Sequence, residues 1–431
     1  MMKKIIWSEL SDQEKIFVLK RPESQSGNEI AASVRAILDD VRDNGDRAVR
    51  RLTQRFDRYD PLPLFVSKDE IEGATDSLDK GLRAAIDLAY ANIRAFHAGQ
   101  GYRPYAMKTM PGLHCARTVI PVQRVGIYIP GGTAPLFSAV LMQGIPSQLA
   151  GNPERLLCTP ARSGQVHPAM LYAAKLCGID AIARVGGAQA IAMMAYGTET
   201  VQPVDKIFGP GNAYVNLAKR MVAAEVGGPA IDMPAGPSEV LVVATDETPA
   251  DYAAADLLAQ AEHDVSSQVV LIALSAAKRD DILLETERQL EALPRAAITR
   301  QALDNSLAIV VDSVEEALAI SNRYAPEHLI LCFEGAERYV DLVTSAGSVF
   351  CGPNTPEPLG DYASGTNHVL PTGGGARAYS GGSVEAFQKT VTVQSASSAA
   401  LRAIGPAVVT MAQNETLDAH ANAVLIRMQS R

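Results

Sequence analysis

The chain has 431 residues, 47% of them hydrophobic and 20% charged, with a formal net charge of −9. That length exceeds one ordinary core and predicts two or three domains of a globular protein. An acidic chain with thinly spread Lys and Arg excludes a general nucleic-acid binder, and no apolar run is long enough to span a bilayer. The start MMKKIIWSE turns polar at once, and Cys115, Cys158, Cys177, Cys332 and Cys351 form no CxxC pair. The expectation is a cytoplasmic protein with reduced core cysteines, a catalytic thiol being the alternative.

The first region reads as a helical block. Ile30, Val34, Ile37, Leu38 and Val41 recur at helical spacing, and the helix over 28–56 is broken at Gly45. Ser67 to Glu70 makes a capping box for a second helix, with Gly81 as its interruption. Ile86, Ala89, Tyr90, Ile93 and Phe96 keep one face apolar up to His97.

Near residue 116 the texture changes. A strand over 119–125 leads into GIYIPGG at 126–132, a sharp turn of exposed backbone, and a helix follows over 135–149. Strands over 155–159, 180–185 and 206–208 alternate with helices over 167–177, 190–196 and up to 226, with GGAQ at 186–189 and GPGN at 209–212 at the turns. This is the pattern of a parallel sheet covered by helices, whose ligands bind beyond the C-terminal strand ends. Tyr128, Gln189 and Asn212 stand at three such ends, either lining one crevice or, for Gln and Asn, serving as caps.

A second alternation begins after residue 238. Strands are expected at 239–244, 268–274, 307–311, 328–332 and 346–350, with helices between them. Thr248 reads as a cap, Pro249 as the first residue and Asp251 as the acid of the helix reaching His263. Gly373-Gly374-Gly375 and Gly381-Gly382 bracket a turned segment. Helices are expected from Val384 to the end, in a tail too polar for its own core, packing on another domain or a second subunit.

Four of the seven histidines lie in four polar outcrops: QAEH at 260–263, PEH at 326–328, GDYASGTNH at 360–368 and DAH at 418–420. On a helix, Gln260 and His263 share a face. His263, Asp361 and His420 would offer a zinc ion imidazole and carboxylate ligands; Gln260 is an atypical ligand that spacing alone does not select, and neither HExxH nor paired cysteines are present. Scattered polar residues on a loop face are the alternative. Glu327 and His328, between a helix and a strand entering the core, are acid–base candidates, or else a surface pair. No GxGxxG with a downstream acid and no GxxxxGK[ST] occurs, so sequence rules do not show a dinucleotide site.

Long stretches then combine in one order: GIYIPGGTAPLFSAVLM at 126–142, VGGAQAIA at 185–192, VDKIFGPGNAYV at 204–215 and AIDMPAGPSEVLV at 230–242. LLAQAEHD at 257–264, YAPEHLI at 324–330, GDYASGTNHVLPT at 360–372 and AHANAV at 419–424 complete the series. In these the sequence resembles the histidinol dehydrogenase family. The resemblance implies an α/β fold of two incomplete Rossmann-like, doubly wound domains with small N- and C-terminal helical extensions. The expected divisions are 1–25, then 26–125 with 239–375, then 126–238, and 376–431. It implies oxidation of L-histidinol to L-histidine with two NAD+, one Zn2+ per subunit, and a homodimer with shared sites. Gln260, His263, Asp361 and His420, the last from the other subunit, would be the zinc ligands. Glu327 and His328 would be catalytic, Ser238, His368 and Glu415 would bind substrate, and Tyr128, Gln189 and Asn212 would bind NAD+. Relatives acting on other alcohols, including sulfonated diols, share the machinery; His368 and Glu415 favour histidinol. A zinc-held binding protein without the reaction is the alternative of another class.

Overall fold

The computed structural model describes residues 2–21, 27–131, 135–233 and 236–429. Gly132 of the expected turn, Pro234 and Ala235, and residues 22–26 of the N-terminal extension lie outside them. Residues Lys3–Ile6 form β1 and Asp12–Val18 form α1, which opens on a capping box between Ser11 and Glu14. Helix α2 (Gly27–Asp57) kinks where expected, at Gly45, whose φ of 50° and ψ of −133° are not helical. Helix α3 (Lys68–Gly73) carries the expected reciprocal cap, Ser67 accepting from the Glu70 N–H and Glu70 from the Ser67 N–H. The break expected at Gly81 comes earlier. Asp79 Oδ1 accepts from the Leu82 N–H at 2.8 Å and starts α4 (Lys80–His97), so Gly81 falls inside a first turn.

Strands β2 (Tyr105–Met110) and β3 (Leu113–Pro121) form an antiparallel pair that the sequence reading had not separated from β4 (Arg124–Tyr128). There follow α5 (Phe137–Ala150), β5 (Glu154–Cys158), α6 (Pro168–Leu176), β6 (Ala181–Ala183), α7 (Gly187–Tyr196), β7 (Lys206–Phe208), α8 (Ala213–Ala223) and β8 (Ala230–Ile231). The second alternation is β9 (Glu239–Ala244), α9 (Ala250–Ala261), β10 (Gln268–Ala273), α10 (Ala276–Leu290), α11 (Ala296–Asp304), β11 (Leu307–Val310), α12 (Val314–Tyr324), β12 (His328–Leu331) and β13 (Ser348–Cys351). Then come α13 (Glu357–Tyr362), β14 (Gln388–Ala396), α14 (Ser398–Asn414) and α15 (Asp418–Gln429).

Two expectations fail locally. Thr248 does not cap α9; its hydroxyl donates to the Cys332 carbonyl at 2.6 Å and accepts from the Thr245 N–H at 2.9 Å. Residues 388–396 are not helical. The alternation Thr-Val-Thr-Val suits an extended chain, and β14 pairs with β3 along nine residues.

Two parallel sheets organise the molecule. One runs β6-β5-β4-β7-β8; the other runs β11-β10-β9-β12-β13 with β1 added at its edge beside β11. In each, the chain builds outward for three strands, returns to the side of the first, and builds outward again. That is the doubly wound winding, with a switch point between β4 and β7 and another between β9 and β12. Strands β9 and β10 are buried on both faces, as their Val-, Leu- and Ile-rich runs require under helices on both sides. Helix α2 packs on α7 and α8, and α4 on α5. At the first switch point Gly209 has φ 113°, and a Cβ there would stand 1.9 Å from the Tyr128 carbonyl oxygen. Only glycine lets the two turns approach so closely. No helix among the described residues is long and apolar enough to cross a membrane.

Candidate active site and cofactor pocket

Three of the four polar outcrops, QAEH, PEH and GDYASGTNH, meet at the N-terminal edge of the second sheet. Ser238 and Glu239 open β9, Glu327 and His328 open β12, and Gln260 lies in the last turn of α9, just before β10. The backbone of one residue holds both Glu327 and His328. The Glu239 N–H donates to Glu327 Oε2 at 2.9 Å, and His328 Nδ1 lies 3.1 Å from the Glu239 carbonyl. A carbonyl only accepts, so Nδ1 carries the proton and Nε2 keeps its lone pair. That Nε2 is buried, 3.7 Å from Asp361 Oδ1, and has no hydrogen-bond partner among the described residues. Burial pushes the imidazole down to about 3, so it is neutral at ordinary pH.

Glu239 is itself clamped. Arg21 donates Nε and Nη2 to its carboxylate, donates to the Tyr324 and Ala325 carbonyls, and stacks 4.0 Å from the Tyr324 ring centroid. The Gly373 N–H adds a further hydrogen bond to Glu239 Oε1 at 3.1 Å.

Short helix α13 brings Asp361 and Glu357 to the same place, four residues apart on one face. His328, Glu357 and Asp361 present donor atoms within 4.8 Å of one another. Burial raises the carboxyl groups of Glu327 and Glu357 well above the usual range, with neighbouring carboxylates adding to it, and burial lifts Asp361 to about 7. Asp256, one turn before Gln260 on α9, faces the Glu357 backbone and is lifted by burial to about 7. The Gln260 amide, turned nitrogen-first to Glu357, donates to its two oxygens at 2.5 and 3.3 Å.

His368 Nδ1 donates to the Asp361 carbonyl at 2.8 Å. His263 is near enough that its charge depresses both His328 and His368. It does not ride on a helix as expected: α9 ends at Ala261, and His263 follows in a turn with its N–H on the Gln260 carbonyl at 3.3 Å.

Thus Gln260, His263, Glu327, His328, Asp361 and His368 gather, with Ser238 beside Glu239. Glu415 and His420 do not join them within the chain. Both are exposed on the C-terminal arm, which packs mainly on itself and on β14. Glu239, Glu357 and Asp256 were missed by sequence reasoning. The signals were there: an acid one turn before Gln260, and an acid between two prolines just before GDY.

Tyr128, Gln189 and Asn212 do line one crevice, a cavity of about 810 Å³ beyond the C-terminal ends of the first sheet. Tyr128 Oη accepts from the Gly187 N–H at 3.1 Å at the start of α7. Gln189 is 1% exposed, and its Nε2 has no partner among the described residues. Asn212 caps α8 through the Val215 N–H, so for this residue the capping reading holds within the crevice. The cysteines stay unpaired, and burial pushes the Cys177 and Cys332 thiols up to about 12, which disfavours a thiolate nucleophile.

Comparison with known proteins extends over the whole chain. A profile of the histidinol dehydrogenase family matches residues 19–428. The histidinol dehydrogenase of Aliivibrio fischeri is 49% identical over 428 residues, covering 99% of this chain and 97% of the relative. That of Xanthomonas euvesicatoria pv. vesicatoria is 50% identical, covering 99% of each. The crystal structure of histidinol dehydrogenase from Elizabethkingia anophelis matches with a TM-score of 0.94 and 45% identity, over 99% of this chain and 98% of that one. Matches of this extent and identity place the chain in the histidinol dehydrogenase family.

Proposed function

We propose that the chain oxidises L-histidinol to L-histidine, the last step of L-histidine biosynthesis, with two NAD+ as co-substrates. The observation that carries this reading is the seating of Glu327 and His328 on one residue, Glu239, with His328 Nε2 left unpartnered among metal-competent donors. Nε2 takes the alcohol proton as the carbinol carbon gives up a hydride, and the Glu239 carbonyl on Nδ1–H steadies the imidazolium that forms. Glu327, held by the Glu239 N–H, draws the proton from the water that adds to the aldehyde. After His328 has passed that first proton to solvent, Nε2 takes a proton from the hydrate as the second hydride passes to the second NAD+. The closed, buried setting keeps the aldehyde from escaping.

The donor set fits a zinc ion. Gln260, His263 and Asp361 from one subunit and His420 from its partner offer amide, imidazole and carboxylate, and a dication would favour ionised forms of the crowded acids. Bound there, zinc supplies a fixed electrophile that anchors and orients the nitrogens of the substrate. Ser238, His368 and Glu415 would contact the substrate. The cavity of Tyr128, Gln189 and Asn212 would receive NAD+, its pyrophosphate at the N-terminus of α7 beside Gln189 Nε2. The homodimer is supported by the exposed apolar side chains of the arm, Val408, Met411, Leu417, Leu425 and Ile426.

The test is NADH formed per histidinol consumed by zinc-replete protein, before and after chelation. Two NADH, histidine as product, and loss on chelation with recovery on adding zinc are expected. Folded, zinc-loaded protein that yields no NADH from histidinol would overturn the substrate and direct the search to another alcohol.

A further inference from the structure

The lining of the cavity holding Tyr128, Gln189 and Asn212 has two unlike parts. One carries the N-terminus of α7 and the unpartnered amide of Gln189. The other is the inner face of α2, with Ile37, Leu52 and Phe56 as apolar surface and Asp57 as the last helical residue. Two acids on α2 line the cavity, Asp40 and Asp57, and their situations differ. Arg51 holds Asp40 with hydrogen bonds of 2.5 and 2.6 Å to its two oxygens. Asp57 Oδ2 is buried and has no hydrogen-bond partner among the described residues. Asp57 also borders a neighbouring cavity of about 680 Å³, sharing Gly131 and Pro160 with the first, so it stands at the junction of two hollows.

An ionised carboxylate only accepts hydrogen bonds, and it repels phosphate. Its place at the C-terminus of α2 adds the partial negative charge of the last carbonyls. The group that satisfies it is therefore a neutral donor, and a vicinal diol offers two hydroxyls at the span of one carboxylate. The apolar and aromatic surface beside it suits a purine.

We propose that Asp57 accepts hydrogen bonds from the 2′- and 3′-hydroxyls of the adenosine ribose and so sets a preference for NAD+ over NADP+, whose 2′-phosphate it repels. The proposal rests on the cofactor cavity assigned above. The sequence carries no fingerprint for it, because the acid comes from α2, ahead of β4, the first strand of that sheet, rather than from the loop after the second. Arg55 lines the same cavity, 5.2 Å from the Phe56 ring centroid, and among the described lining residues it is the cationic side chain, suited to a 2′-phosphate.

The test compares wild type, Asp57→Asn and Gln189→Ala as full-length, zinc-replete enzyme. Kinetic constants are measured with NAD+ and with NADP+, and calorimetry reads binding of ADP-ribose and its 2′-phosphate. For Asp57→Asn, kcat/KM with NAD+ is expected to fall about tenfold or more through KM, with kcat retained. Binding of ADP-ribose falls in parallel, and the NAD+/NADP+ ratio falls at least as far. An unchanged ratio and unchanged ADP-ribose affinity in Asp57→Asn, with Gln189→Ala weakened, would overturn the role of Asp57 and leave the cavity assignment standing. Unchanged affinity in both variants would overturn the cavity and the proposal together. Wild-type use of NADP+ equal to NAD+ would transfer the reading to Arg55.

Discussion

Glu239 offers Glu327 and His328, the proposed acid–base pair, only backbone hydrogen bonds: its N–H holds Glu327 and its C=O holds His328. Its side chain serves to keep that backbone still, and Arg21 is the group that holds the side chain. The Glu239 side chain is 3% exposed and that of Arg21 22%, so their ion pair is mostly shielded from solvent. Arg21→Ala leaves a buried carboxylate unpaired, which costs about 3–5 kcal/mol of stability. In the folded fraction kcat is expected to drop about 10- to 100-fold, as a small displacement of the base would cause, with KM for NAD+ nearly unchanged. Arg21→Lys restores charge but not the two-pronged contact, so it recovers stability more than kcat. Steady-state kinetics with denaturant titration check this; a stable, folded Arg21→Ala with wild-type kcat would refute the positioning role. At this scale the sequence was legible where chemistry sits on side chains, as in PEH or GDYASGTNH. It was not legible at Glu239, because a backbone contact can be made by any residue type, nor at Arg21, whose partner lies 218 residues away.

Elements were legible where periodicity and caps agreed. Helix α2 with its kink, α3 with its capping box, and β9 stand where residue patterns put them. Strand β14 was missed because its alternating Val and Thr residues are largely exposed, and no buried face marked the period. Between elements, Glu70 does a second task beyond its cap: its carboxylate accepts from Arg184, just after β6, so α3 is pinned to the first sheet. The hydrogen bond from Arg184, then those from Ser67, lower the Glu70 pKa from 4.5 to about 2. The folded-state value lies below the unfolded one. This stabilisation is therefore full above about pH 4.5 and lost as pH falls towards 2. Glu70 is 42% exposed at its side chain, so solvent screening keeps the effect modest. Glu70→Gln should show a lower urea midpoint than wild type at pH 7, with the gap narrowing below about pH 4.5 and closing only as pH reaches about 2. A gap that stays constant with pH would mean that the charge of Glu70 contributes nothing.

At the scale of the molecule, two sheets of the same winding are used at opposite edges. The first sheet offers its C-terminal edge at the β4–β7 switch point, where doubly wound folds take ligands. The second offers its N-terminal edge, where β9 and β12 begin with the residues that grip each other. The first arrangement follows from the alternation of strands and glycine turns in the sequence. The second does not, because that winding rule points to the other edge; the residues of PEH mark it as an acid–base candidate, but nothing in the strand pattern puts it at the N-terminal ends. The arm carrying Glu415 and His420 belongs to neither edge within its own chain, and its exposed apolar residues suit a second copy.

If the arm of each subunit completes its partner's site, His420→Asn and His328→Asn should complement each other. Each variant alone forms dimers with two defective sites. In a mixed dimer, the body of the His420→Asn chain keeps His328 and receives an intact arm from its partner, which makes one whole site. The other site carries both defects. Random assembly of equal amounts puts half the chains in mixed dimers with one good site of two, so about a quarter of wild-type activity should return. Refolding the two variants together and assaying NADH formation reads this directly. Activity no greater than the sum of the separate variants, in a mixture shown to contain mixed dimers, would mean that each chain folds its own arm back to its own site.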